Sequence, residues 1–142
     1  MTVPSEWQFF GKHKARVEGD IVYSVWDGPT SLAEAQAYHA VVERVLAERG
    51  QVYSLVDVRS SQSPSPEVRQ WLAEQSKGYK VAAFALFGAS FTMRTLATLM
   101  WRAGRILTRD ETEIGFFGTE AEARAFLDAV RNGPTSSRVP RR

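Results

Sequence analysis

Seven consecutive residues, Val81-Ala82-Ala83-Phe84-Ala85-Leu86-Phe87, carry no polar side chain. The run is far too short to cross a bilayer, which takes roughly 20 apolar residues in a helix. A strand with one face in water alternates apolar and polar residues, whereas a strand covered on both sides does not. The run therefore predicts a central β-strand with helices packed on its two faces, and the rest of the chain has to supply those helices.

The flanking sequence does so. His13–Val17 and Ile21–Trp26 read as two strands joined by the turn Glu18-Gly19-Asp20, where glycine accepts positive φ. Ser31 followed by Glu34 is a capping box, and Ala35, Tyr38, Val42 and Leu46 recur at helical spacing until Gly50 stops the helix. Val52–Val58 is a strand. Ser65-Pro66 then suits a cap and first helical position, ahead of Val68, Trp71, Leu72 and Gln75. After Val81–Phe87 a third helix is expected from Phe91 to Leu107, then a short strand Glu113–Phe117, then a last helix capped by Thr119 and Glu122 with Ala123, Phe126, Leu127 and Val130 as its apolar stripe. The expected order is β-β-α-β-α-β-α-β-α. It describes an α/β fold with a mixed, largely parallel five-stranded sheet and four helices, in which the leading hairpin supplies an antiparallel edge. Residues 1–12 are expected to form an N-terminal arm, with residues 1–11 an arm or a short edge element, 13–131 a single domain, and 132–142 a flexible basic tail.

The chain has 142 residues, enough for one domain with its own core, and its balance of 44% hydrophobic and 24% charged residues is that of a soluble globular protein. It has no cysteine, which excludes disulfides, thiolate chemistry and cysteine-ligated metal centres. The N-terminal MTVPSEWQFF lacks the basic and apolar stretches of a signal peptide, so a cytoplasmic location is expected. The net charge of +2, from 18 basic and 16 acidic residues, is modest for a footprint of several phosphates, and nucleic acid is not an expected partner.

Three stretches give the chain a family likeness. They are Gly19-Asp20-Ile21-Val22 in an early strand, Asp57 in Leu55-Val56-Asp57-Val58, and Phe116-Phe117-Gly118-Thr119-Glu120-Ala121-Glu122-Ala123 followed by Phe126-Leu127. In these, and in the order of elements over residues 13–131, the chain resembles the STAS-like domains, the fold of bacterial anti-sigma-factor antagonists, and most of all their uncharacterised bacterial relatives. The resemblance implies a non-enzymatic regulatory or protein-interaction module. It also implies a regulatory phosphosite region at Asp57, Ser63 and Ser65, because the antagonists are switched by phosphorylation of a serine at the start of the corresponding helix. The family pattern there is close to Asp-Ser-Ser-Gly, whereas this chain has Ser60-Ser61-Gln62-Ser63-Pro64-Ser65-Pro66. The alternative it implies is a small lipophilic ligand held between helices and sheet, in keeping with eight Phe, four Trp and four Tyr.

No catalytic group, metal site or cofactor is expected. His13 and His39 are the only histidines, and both read as surface or satisfied boundary residues without a partner acid and nucleophile nearby in sequence. Asp27, Asp57 and Ser63 could meet at the carboxyl ends of the strands, where open α/β sheets place ligands, but capping of loop amides is the more ordinary role for these residue types. Gly88-Ala89-Ser90 is too short for a nucleotide-binding loop, though its amides could hold one anion. Asp110, Glu111 and Glu113 would be scattered by a turn and an alternating strand.

The helix expected from Phe91 to Leu107 is the place to look for a partner. At 100° per residue Leu96, Leu99, Met100, Ala103 and Leu107 form its core side, while Arg94, Thr98, Trp101, Arg105 and Arg109 lie opposite. Tryptophan and arginine are the commonest interface anchors, so Arg94, Trp101, Arg105 and Arg109 are the expected partner-binding residues. The partner could be another protein, a second copy of the chain giving a dimer, or an anionic membrane surface. Packing of Trp101 under the N-terminal arm is the competing expectation.

Overall fold

The computed structural model of the chain describes residues 5–62, 64–75, 81–91, 94–95 and 113–132. Gly11 and Gly19 both take the left-handed conformation, at φ 65° and 66°, that a tight hairpin loop requires. These two turns fold the first part of the chain into three antiparallel strands: β1 (Gln8–Phe10), β2 (His13–Glu18) and β3 (Ile21–Gly28). From β3 onward every neighbour is parallel, through β4 (Tyr53–Ser61), β5 (Ala83–Phe87) and β6 (Glu113–Phe117). The strands lie side by side in chain order, β1-β2-β3-β4-β5-β6.

The helices of the described residues are α1 (Leu32–Arg49), α2 (Pro66–Gln75) and α3 (Glu120–Asn132). The expected ends of α1 are where the chemistry places them. Ser31 and Glu34 close a reciprocal capping box, and Gly50 stops the helix at φ 81°, its N–H donating to the Leu46 carbonyl. Thr119 and Glu122 do the same for α3, each side chain accepting the other's backbone N–H at 3.2 Å.

Each sheet face carries its own core. Val41, Val42 and Val45 of α1 pack with Ala15, Val22, Val52 and Val81 on one side. Ala123 and Leu127 of α3 pack with Tyr23, Leu55, Ala83, Ala85 and Phe87 on the other. The apolar run 81–87 does sit inside the sheet, between β4 and β6. Its burial is nonetheless uneven: Val81, Ala83, Ala85 and Phe87 are buried, while Ala82, Phe84 and Leu86 are half-buried.

The strand and helix counts differ from expectation. The sheet has six strands rather than five, because Gln8–Phe10, expected as part of an arm, turns back at Gly11 and pairs with His13–Ala15. The described residues form three helices rather than four. The expected third helix, Phe91 to Leu107, falls almost wholly outside them; Phe91, Arg94 and Thr95 are described, and the Arg94 N–H donates to the Ser90 carbonyl at 2.9 Å. β4 also runs three residues past the expected Val58, to Ser61, after a shift in its register with β3 between Val25 and Asp27.

Candidate functional site at the carboxyl ends of the parallel strands

Residues two apart on a strand share a face. Asp57 and Arg59 therefore point the same way from β4, and they pair. The Arg59 Nη2 donates to Asp57 Oδ2 at 2.7 Å, and the Arg59 Nε and backbone N–H both donate to Oδ1, at 3.1 and 3.0 Å. Asp57 is buried, at 3% exposure, while the Arg59 side chain is 67% exposed. The hydrogen bonds and charge of Asp57 raise the Arg59 pKa further, so the guanidinium is a permanent cation at the surface.

Arg59 also crosses to the neighbouring strand. Its guanidinium carbon lies 5.6 Å from the centre of the Phe87 ring, and its Cγ occupies the space a Cβ on Gly88 would need. Gly88 has φ 85°, and its N–H donates to the Phe117 carbonyl at 3.0 Å. The amide that might have joined an anion cradle is therefore committed to the β5–β6 ladder.

Beyond these residues the chain presents an exposed rim. Ser60, Gln62 and Ser65 are exposed, and the Ser65 hydroxyl accepts the Val68 N–H at 3.3 Å, capping α2 as expected. Arg69 fastens the same loop by donating to the Pro64 carbonyl at 2.8 Å. Two large apolar side chains on the segments that follow β4 and β5 stand in water, Leu72 at 40% exposure and Phe91 at 75%. Arg94 is exposed as well.

Asp57, Asp27 and Ser63 are not shown together. Asp57 lies inside a strand, in register with Val25 and Phe87, and its carboxylate is turned to Arg59. Asp27 is exposed, and Ser63 lies outside the described residues, as do Trp101, Arg105, Arg109, Asp110 and Glu111. Sequence reasoning missed Arg59 because it ended the strand at Val58. The signal available was the Asp-x-Arg spacing, which reads as a same-face pair once the strand is allowed to continue.

Both histidines are buried, and their surroundings are structural. His13, at 1% exposure, accepts the Asp27 N–H on Nδ1 at 2.9 Å, which leaves Nε2–H to donate to the Pro29 carbonyl at 3.1 Å. The Thr30 hydroxyl and a Glu34 carboxylate oxygen lie 3.2 and 3.4 Å from Nε2, and the Trp26 ring stacks on the imidazole at 4.7 Å. His39 meets the edge of Trp71 at 5.2 Å and a Glu43 carboxylate oxygen at 3.5 Å. On the opposite face Tyr23 donates to Glu120 at 3.1 Å, and burial, then Glu120, push its pKa up to about 12. Neutral at ordinary pH, Tyr23 is a fixed donor there. Among the described residues no group of three or more His, Asp or Glu side chains could hold a metal ion, and no helix is long and apolar enough to cross a membrane.

No protein-family model matches the chain. No curated protein matches it either. Among solved structures it is similar to an uncharacterised protein of the DUF3478 family from Shewanella loihica PV-4, described as having a SpoIIAA-like fold, with a TM-score of 0.55 and 14% sequence identity over 89% of this chain and 95% of that one. The chain therefore has the SpoIIAA-like, STAS-type fold that its sequence resembles.

Proposed function

We propose that the chain is a non-enzymatic regulatory or protein-interaction module of STAS-like type, and that it meets its partner at the rim formed by the carboxyl ends of β4 and β5. The observation that carries this reading is the exposure of Phe91 and Arg94 on the segment after β5 and of Arg59 near the end of β4. Open α/β sheets present their binding surfaces outside the carboxyl ends of their strands. Exposed aromatic and aliphatic side chains set among arginines have the composition of an interface centre rather than of ordinary surface. The SpoIIAA-like fold supports the same reading by analogy alone.

Within it, Arg94, Trp101, Arg105 and Arg109 are the proposed contact residues. Asp57, Ser63 and Ser65 are the proposed regulatory region, since phosphate at Ser65 would add roughly two negative charges at the start of α2, where the helix dipole favours them. The partner we propose is a protein, a second copy of the chain included, met in the cytoplasm. The alternative is a small lipophilic ligand held between helices and sheet; one cleft among the described residues, lined by Glu18, Gly19, Asp20, Ile21, Arg49, Gln51 and Arg131, is too charged to favour it.

Capture of partners from native extract tests the proposal, with wild type beside a Phe91→Asp, Arg94→Glu double variant and sedimentation recording self-association. A reproducible partner, or a dimer, lost in the variant at unchanged melting temperature is the expected result. Equal capture by both proteins would refute it.

A further inference from the structure

Among the described residues β1 is an outer strand of the sheet. β1 pairs with β2 through Gln8↔Ala15, Phe9↔Lys14 and Phe10↔His13, and among the described residues no strand lies beyond it. The turn at Gly11-Lys12 decides which groups face outward. In a two-residue hairpin the residues flanking the turn, Phe10 and His13, bond to each other, and bonding alternates along the ladder. Gln8 and Phe10 thus spend their amides on β2, whereas the N–H and C=O of Phe9 point away from the sheet. The chain stays beside β2 before β1, where the Ser5 N–H donates to the Val17 carbonyl at 2.8 Å, one residue out of the β1–β2 register.

Sheet edges of soluble proteins are ordinarily shielded by charge, proline or a covering element. This one instead shows Phe9, 68% exposed, on the face it shares with Lys14. Between Ser5 and Lys14 the only acid is Glu6, against Lys12 and Lys14. Glu34, whose Oε1 accepts the Ser31 N–H, adds a second carboxylate against Gly11 on the α1 side of the turn. Farther along the same face Glu18 is 13% exposed, while Arg16 and Arg124, which neutralise it, are 30% and 32% exposed. Glu18 thus lies deeper than the two arginines that neutralise it, Glu120 on the far side of Arg124 is 43% exposed, and the cations nearest the edge are Lys12 and Lys14.

We propose that the outer edge of β1 accepts an extended acidic segment of a partner protein as a seventh strand. The Phe9 N–H and C=O would give the main-chain bonds, and carboxylates on alternate residues would meet Lys12 and Lys14. Augmentation of a sheet edge takes its affinity from main-chain bonds and its specificity from alternate side chains. A single nucleic-acid strand fits less well, because base stacking needs free rings. The Trp7 ring already has Lys14 Nζ at 4.4 Å and the Arg16 guanidinium at 4.7 Å from its centre, which leaves Phe9 alone. The proposal rests on the interaction-module reading but concerns a different surface from the carboxyl-end rim.

The test titrates the full chain with a short capped peptide of alternating glutamate and valine, beside its lysine–valine counterpart and a single-stranded oligonucleotide, and follows backbone amide shifts. The acidic peptide is expected to bind alone, to shift residues 7–12 and to slow exchange of the Phe9 amide. Phe9→Pro removes the outward N–H at a position where an edge strand tolerates proline. It is expected to weaken binding by roughly 3- to 10-fold, the value of one net hydrogen bond. Lys12→Glu, which lies in the turn and leaves the ladder intact, is expected to weaken it and flatten its salt dependence. Phe91→Asp at the rim is expected to change nothing here, so either surface can fail while the other stands. Absence of acidic-peptide binding, equal or tighter binding of the lysine peptide or the oligonucleotide, shifts centred elsewhere, or self-association abolished by Phe9→Pro would each overturn the proposal.

Discussion

Arg124 and Glu18 stand 106 positions apart in the chain and meet at 2.8 Å, where the guanidinium of α3 spans both carboxylate oxygens of β2. The same arginine holds Glu120 at 2.8 Å and lies over the Tyr23 ring at 5.2 Å. The contact fastens the last helix to the first hairpin. Burial alone would raise the Glu18 pKa, but the hydrogen bonds and charges of Arg124 and then Arg16 outweigh it, and the net shift is downward. A carboxylate with a lowered folded-state pKa adds stability that is present above its unfolded value and lost as pH falls through the folded one. Arg124→Met removes the main partner and leaves the Glu18 carboxylate held by Arg16 alone, so that its folded-state pKa rises. We expect a loss of about 1–2 kcal/mol at neutral pH, since the pair is partly solvated. Acid unfolding, followed by circular dichroism, is expected to move to higher pH.

His13 joins the turn after β3 to the start of α1. In His13→Leu the Asp27 N–H and the Pro29 carbonyl lose a buried partner, each from a part-buried hydrogen bond. Leaving a buried polar group unsatisfied costs about 1–3 kcal/mol. Denaturant unfolding is expected to show a loss in that range, with faster hydrogen exchange at the Asp27 amide. A loss within about 0.5 kcal/mol, the ordinary range for surface substitutions, would mean that the imidazole does not organise this turn.

Gly88→Ala tests the rim. The residue has φ 85°, and a Cβ there would collide with the Arg59 side chain. The left-handed conformation alone costs an L-residue about 1–2 kcal/mol. The displaced guanidinium would leave Asp57, at 3% exposure, without two of its three donors. We expect a destabilisation of at least about 2 kcal/mol by denaturant titration, and loss of the Arg59 Nε–H signal that reports its bond to Asp57. Asp57→Asn restores a neutral acceptor and is expected to recover part of the loss in the double variant.

The two capped helices provide a test of independence. Ser31→Ala and Thr119→Ala each remove a hydroxyl that accepts a first-turn N–H. Each is expected to cost about 1 kcal/mol by thermal melt. The caps sit on different helices and share no partner, so the double variant is expected to lose the sum.

Much of the fold was legible because its signals are local. A capping hydroxyl, a glycine that ends a helix, and an apolar residue every third or fourth position act within one turn of chain. Ser31 with Glu34, Gly50, Ser65 with Pro66, and Thr119 with Glu122 all stand where such rules place them. The sequence leaves β1 open between an arm and a short edge element for the opposite reason. Three residues, Gln8–Phe10, are too few to carry a periodic pattern, and they become a strand only because β2 lies alongside to accept their hydrogen bonds.

The candidate site was legible only in part. Asp57 drew attention through its place in an apolar strand, yet its role depends on Arg59, which a strand ended at Val58 leaves out. Phe91 was visible as an aromatic at a helix start, but its exposure is not written in the residues around it.

The sequence by itself determined that α1, α2 and α3 are helices and that β2 to β6 are strands, because backbone preference and apolar period act between neighbours in the chain. Only the tertiary structure decided that Arg124 would neutralise Glu18, that His13 would be buried, and that Phe9 would be exposed on an outer strand of the described sheet. Those outcomes depend on which distant surfaces meet, and a charge, an imidazole or a phenyl ring looks the same in the sequence whether its partner lies 106 positions away or is water.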